Sequence, residues 1–224
     1  MDYVYKSCIG SLIYLIYTRV NLSFSVHKLA NFSSNPGKVN FEVLVHLLRY
    51  IRHNNTLGLK YYDDVKDTPL SDLLRQYNIK TKNQLMAFSD FIWKDCPFTG
   101  RIIWAYIIFY QGRPIYHGTP VPGPVSESIA ESEYNAACTE GMYLAHFRML
   151  IHELLSKDPD IFPWESSLII LDSKSAVCMA KNGKDANHTK HIAKSINFVR
   201  NGEKLKMYKI DWCEGGQKLG DIAT

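Results

Sequence analysis

Four consecutive apolar residues, Leu168 to Leu171, run directly into Asp172 and a helical pattern that begins at Ser173, and no other stretch restricts the fold as strongly. A run this short that is apolar at every position has no polar face to turn toward water. Residues 167–171 therefore read as a strand covered on both sides, the environment of a parallel sheet buried beneath helices. A strand that passes straight into a helix also implies a crossover connection, and with it a mixed α/β sheet.

The flanking patterns extend this sheet. Residues 85–91 read as a first strand, while 104–110 and 114–117 flank Gln111-Gly112-Arg113 and suggest a hairpin whose glycine supplies the turn. Residues 126–155 form a long amphipathic helical pattern with an acidic start, Glu127 to Glu133, which suits the positive end of a helix dipole. Helices over 173–181 and about 189–201, a strand over 206–213 and a helical turn from 217 complete the order β-β-β-α-β-α-α-β-α. Upstream, residues 5–32 read as helical up to a break at Asn35-Pro36-Gly37, residues 41–53 as a second helix and 57–62 as a strand. Residues 63–83 are polar, with a short helical pattern near 70–74, and read as a connector. A composition shift near Leu85 divides the chain into a mainly helical appendage, 1–84, and an α/β domain, 85–224. No internal repeat or low-complexity tract interrupts either part.

At 224 residues and 46% apolar content, the chain has enough material for one core of ordinary size plus an appendage. Its most apolar stretch, 9–17, is shorter than the ~20 residues needed to span a bilayer, and Arg19, Asn21, His27 and Lys28 break its continuation. Neither a signal peptide nor a membrane partner is expected. Five cysteines without a CxxC pair point to a reducing, intracellular setting and away from zinc. The net charge of +4 is unevenly spread: residues 181–209 alone carry +6, a stripe suited to a polyanion or simply to a solvated helix face.

Four acids stand out within these patterns: Asp90, Glu133, Asp172 and Asp221. Three of them interrupt apolar surroundings, where an uncompensated carboxylate is costly to bury. Helical phase separates the acids of the long helix. Positions 133, 137, 140, 144, 147 and 151 share one face and, apart from Glu140, form its core stripe, so Glu133 is expected to point inward and Glu131 outward. Asp90 and Asp172 each end an apolar strand, where open α/β sheets gather their ligand sites. If those strands are neighbours, two carboxylates that close cannot both stay ionised without help, and a divalent cation supplies it. A hard ion such as Mg²⁺ takes oxygen ligands, and a pair of ions ~3.5–4 Å apart can stabilise both the attacking and the leaving oxygen of a phosphodiester displacement. Asp172 taken singly could equally cap the helix at Ser173.

With these residues in view, the chain resembles the ribonuclease H domain of a copia-type LTR retrotransposon Pol polyprotein. The likeness rests on Phe88-Ser89-Asp90 with Trp93, Ala130-Glu131-Ser132-Glu133-Tyr134 with Ala136, Leu171-Asp172-Ser173-Lys174-Ser175-Ala176, His188-Thr189-Lys190-His191-Ile192 and Leu219-Gly220-Asp221-Ile222. Upstream, residues 9–15, Ser34-Asn35-Pro36-Gly37 and Leu48-Arg49-Tyr50 resemble the segment that joins the reverse transcriptase to that domain. The resemblance implies a ribonuclease H-like mixed five-stranded sheet flanked by helices. It implies metal-binding catalytic acids at Asp90, Glu133, Asp172 and Asp221, and two Mg²⁺ or Mn²⁺ ions. It also implies hydrolysis of the RNA strand of an RNA–DNA hybrid by a metal-bound water, in the cytoplasm within a virus-like particle or in the nucleus. The reverse-transcriptase portion of the same polyprotein would be a partner. Hybrid would be held through phosphates and 2′-hydroxyls, with Lys190, Lys194 and Arg200 as candidate contacts.

The chain departs from the family pattern at three places. Arg19-Val20-Asn21 stands where Arg-Pro-Asp is usual, Thr99-Gly100-Arg101-Ile102-Ile103-Trp104 replaces a small polar turn, and Gly220 replaces an alanine beside Asp221. A glycine there costs up to ~1 kcal/mol if helical, and the chain ends three residues after Asp221, so that helix is expected to fray. A catalytically inactive hybrid-binding or structural fragment of a decayed element therefore stands as the alternative. A related nuclease or integrase fits less well with four acids and the long helix that carries Glu133. His46 and His53 are expected to be structural or merely exposed, and His188 and His191 structural or in contact with the nucleic-acid backbone rather than catalytic.

Overall fold

The computed structural model describes residues 2–61, 85–92, 103–118, 129–155, 166–171, 173–181 and 193–212. Five strands, β1 (Leu85–Ile92), β2 (Ile103–Tyr110), β3 (Arg113–Gly118), β4 (Ser167–Leu171) and β5 (Tyr208–Trp212), form one sheet in the order β3-β2-β1-β4-β5. The hairpin strands pair antiparallel, whereas β4 pairs parallel to both β1 and β5. The fold is α/β with a mixed five-stranded sheet flanked by helices, consistent with a ribonuclease H-like architecture.

Pleating sorts the apolar side chains onto two faces. Leu85, Ala87, Tyr106, Ile108, Ile169, Leu171, Tyr208 and Ile210 share one core with the long helix. Met86, Phe88, Ala105, Ile107, Phe109, Leu168 and Ile170 share the other with Val20 and Leu59 from the helical N-terminal region. Every residue of β4 is buried, which is why its sequence has no alternation. The hairpin turn contains two residues, Gln111 (φ 51°) and Gly112 (φ 71°), and Arg113 already belongs to β3. Positive φ at both turn positions matches the right-handed twist of the strands.

Three helices cover the first face: α4 (Ile129–Leu155), α5 (Lys174–Lys181) and α6 (Ala193–Lys204). On α4 the stripe Ala137, Glu140, Leu144 and Ile151 is buried, with Phe147 packed against the same core. Tyr143 stacks on Tyr106 of β2 (ring centroids 5.0 Å apart), and Tyr116 of β3 lies 5.3 Å from Phe147, so aromatic rings tie the hairpin to the helix. Tyr208 of β5 reaches between Gly141 of α4 and Gly202 of α6. A Cβ on Gly141 would meet its hydroxyl at 2.9 Å, and one on Gly202 would collide with the ring.

The N-terminal region differs from the sequence expectation. Residues 5–32 form not one helical run but α1 (Asp2–Leu15), a 3₁₀ turn (Val20–Leu22) and α2 (Ser23–Ala30). Arg19 leaves the helical conformation (φ −125°, ψ 67°), and its buried guanidinium donates from Nη1 to the Asn54 carbonyl at 2.9 Å. The reversal folds Tyr5, Ile9 and Leu12, one stripe of α1, together with Ile16 just beyond it, onto Leu22, Val26 and Leu29. α3 (Lys38–His53) closes this core with Leu44 and Leu47 and carries His46 and His53 exposed. Residues 57–61, expected as a strand, join no sheet. Leu59 packs on the second face of the sheet, and the Tyr61 hydroxyl donates to the Pro114 carbonyl at 3.2 Å. β5 begins later than the expected strand because Lys206 (φ 56°) turns the chain after α6. The expected elements near 70–74 and from 217 lie outside the described residues, and no described helix is long and apolar enough to cross a membrane.

Candidate active site

Parallel strands present their carboxyl ends at one rim, and here β1, β4 and β5 share it. Phe88 of β1 pairs with Ile170 of β4, and Ile170 with Asp211 of β5. Asp90 follows Phe88 by two residues within β1, its backbone still paired to Ala105 of β2. In sequence Asp172 follows Ile170 by the same two residues, directly after the last residue of β4. Glu133 belongs to α4, four residues before buried Ala137. The side chains of Asp90 and Glu133, and the whole of Asp172 and Asp221, lie outside the described residues. Among the described residues no three His, Cys, Asp or Glu side chains converge as a metal site would require.

Of the expected nucleic-acid contacts, Lys190 and the Lys194 side chain likewise lie outside the described residues. Arg200 is half-buried on α6.

Two residues that the sequence did not assign to the site lie beside it. Glu140 of α4 is completely buried, and burial drives its carboxyl pKa up from 4.5 to about 8. Ser89, the residue before Asp90, pulls it the other way, yet neither the Ser89 hydroxyl nor the Glu140 carboxyl closes a hydrogen bond of ordinary geometry. A buried acid with no partner takes up a proton rather than hold a charge. Glu140 is thus a neutral group at neutral pH, seated under the end of β1. The only signal in the sequence is that an acid interrupts the apolar stripe of the helix, which marks burial but not neighbours.

The second is Lys174, exposed at the start of α5, whose Nζ lies 4.1 Å from the centroid of the Trp212 ring. Trp212 ends β5 and pairs with Leu171, so this cation is fixed at the same rim. Asp211 next to it is engaged at 4.0 Å by Lys181.

Elsewhere burial also shifts titrating groups. It pushes the Tyr106 hydroxyl and the Cys138 thiol up and the half-buried Arg148 guanidinium, which donates to Ser167 Oγ at 3.1 Å, down. The His117 imidazole on β3 is lowered by desolvation, against a smaller upward pull from the Ile16 and Tyr17 backbone, although neither ring nitrogen closes a hydrogen bond of ordinary geometry.

No family model matches the chain. Over 223 residues, 98% of the chain, it is 25% identical to the retrovirus-related Pol polyprotein from transposon RE1 of Arabidopsis thaliana. It is 26% identical over 210 residues, 92% of the chain, to the retrovirus-related Pol polyprotein from transposon TNT 1-94 of Nicotiana tabacum. The chain spans 14% of the length of each of these relatives. Over nearly its whole length, then, the chain is similar to one region of retrovirus-related transposon Pol polyproteins, and its origin is in a retrotransposon.

Proposed function

We propose that this chain is a ribonuclease H, a metal-dependent endonuclease that hydrolyses the RNA strand of RNA–DNA hybrids during retrotransposon reverse transcription. The observation that carries the reading is the parallel register of β1 and β4. It supports Asp90 and Asp172 as neighbours at the end of a sheet, where two carboxylates call for a cation. An oxygen-only donor set of this kind fits a hard divalent ion. Asp90, Glu133, Asp172 and Asp221 would hold two Mg²⁺ or Mn²⁺ ions, which supply activation of the attacking water and neutralisation of charge on the phosphodiester.

The chain's own contribution is rigidity. β1 is clamped between β2 and β4, so the strand that bears Asp90 cannot shift without breaking two ladders. The α4 stripe locks the helix that bears Glu133 against the same strand. Such support keeps carboxylates within the narrow tolerance that catalysis requires. The similarity to Pol polyproteins supports the same reading, in which the reverse-transcriptase portion of such a polyprotein would be the partner.

The test is cleavage of a labelled RNA–DNA hybrid in Mg²⁺. Wild-type protein is expected to cut only the RNA strand, and Asp90→Asn is expected to abolish the cut while leaving the fold intact. Hybrid binding with no cleavage by the wild type would replace this reading with that of an inactive hybrid-binding fragment.

A further inference from the structure

The geometry points to Lys174 as a phosphate-anchoring residue for the hybrid, with Trp212 as the positioning residue that holds it in place. The inference rests on the proposed ribonuclease H function and extends it to a contact outside the carboxylate set. Lys174 is not an ordinary solvated lysine. Its ammonium sits 4.1 Å from an indole centroid, well within the ~6 Å at which a cation is attracted to a ring face. No carboxylate among the described residues pairs with it, because Asp211 is engaged by Lys181. The indole is fixed in turn: Trp212 pairs in register with Leu171, and its backbone N–H donates to Asp211 Oδ1 at 2.8 Å. The result is a tethered, exposed positive charge at the rim formed by the carboxyl ends of β1, β4 and β5.

Distance decides which phosphate it serves. β5 is two strands from β1 in the sheet, and two strand spacings come to roughly 10 Å. Held toward Trp212 at the end of β5, on the far side of β4 from Asp90, the ammonium is directed away from the scissile phosphate. It reaches one beside it. Lys174 should therefore fix the duplex in place and leave the chemical step alone. Holding the ammonium on a ring also reduces the side-chain entropy lost when a phosphate binds, so the tether contributes to affinity without itself touching the nucleic acid.

Steady-state cleavage of hybrid and salt titration of hybrid binding, the latter with Ca²⁺ in place of Mg²⁺, test this on the full chain. Lys174→Gln is expected to raise KM several-fold with kcat within about twofold of wild type, and to make the slope of log affinity against log salt shallower by about 1. Lys174→Arg should restore both. Trp212→Leu should raise KM by about two- to fivefold with the salt slope unchanged, since the charge remains and only its placement is lost. Lys174 is exposed, so its variants should melt with the wild type. If Lys174→Gln leaves KM and slope unchanged while wild type cleaves normally, this inference is overturned and the proposed function stands. If Lys174→Gln lowers kcat and spares KM, the ammonium belongs at the reacting phosphate and the flanking assignment is wrong. Wild-type protein that neither binds nor cuts hybrid overturns the proposed function, and this inference with it.

Discussion

Glu140→Gln isolates the energetic consequence of a buried acid beneath β1. In the folded chain the Glu140 carboxyl titrates at about 8, against 4.5 for a solvated glutamate, because burial disfavours its charged form. A folded pKa above the unfolded one means that the native state holds its proton longer. The stabilising contribution is thus complete below about pH 4.5 and is lost as pH rises through about 8. Between those limits the loss is about 1.4 kcal/mol per pH unit, on the order of 5 kcal/mol across the window. That is a large share of the ~5–15 kcal/mol by which domains of ordinary size are stable. Glutamine keeps the shape and cannot ionise. Urea unfolding of both proteins from about pH 4 to 9 should give curves that converge at the acid end. The variant should become progressively more stable from about pH 5 upward, and the difference should level off above about pH 8.5. Because every other titrating group is shared, the difference curve reports Glu140 alone. Parallel curves over that range would refute the argument, since they would mean that the carboxyl is charged at neutral pH in the folded chain.

Three further outcomes test the packing. Gly202→Ala should cost about 1–3 kcal/mol of stability in urea unfolding, because the new methyl must displace the Tyr208 ring; a neutral effect would show that the ring has room to move. Tyr5→Phe should cost about 1 kcal/mol by removing the hydroxyl that donates to the Leu29 carbonyl at 2.9 Å, seen as a lower thermal midpoint of the helical signal. Asn21→Asp should stabilise by up to about 1 kcal/mol in low salt, because the Asn21 side-chain oxygen already accepts from Arg19 Nε at 3.3 Å. The gain should shrink as salt is added.

The sheet was legible wherever the sequence obeyed a single constraint. β4 is buried on both faces, so its residues are apolar without alternation, and that alone implied parallel neighbours. The hairpin announced itself through Gly112, although the other turn residue, Gln111, adopts positive φ with no local signal. The turn between α1 and α2 was hidden because it contains neither glycine nor proline. Ile16, Val20 and Leu22 are as buried as the helix residues around them, so apolar periodicity runs across the break. Residues 57–61 alternate like a strand, but alternation needs a partner strand to become one, and Leu59 instead fills a place on the face of the sheet. At the site, helical phase identified Glu140 as an exception to the core stripe, while its seat against Ser89 depends on how α4 crosses β1, which no local pattern encodes. The Lys174–Trp212 contact joins residues 38 positions apart and required the β4–β5 register to be known.

The slot that Gly141 and Gly202 leave for Tyr208 also limits the order in which a drifting copy of this sequence can change. While the ring is present, a side chain at either glycine is penalised, so both positions stay frozen. Once position 208 shrinks, the two are released together, and any bulk they acquire then bars the ring's return. The trio behaves as a ratchet. Among related copies, a small residue at 208 should therefore accompany substituted glycines far more often than an aromatic one does.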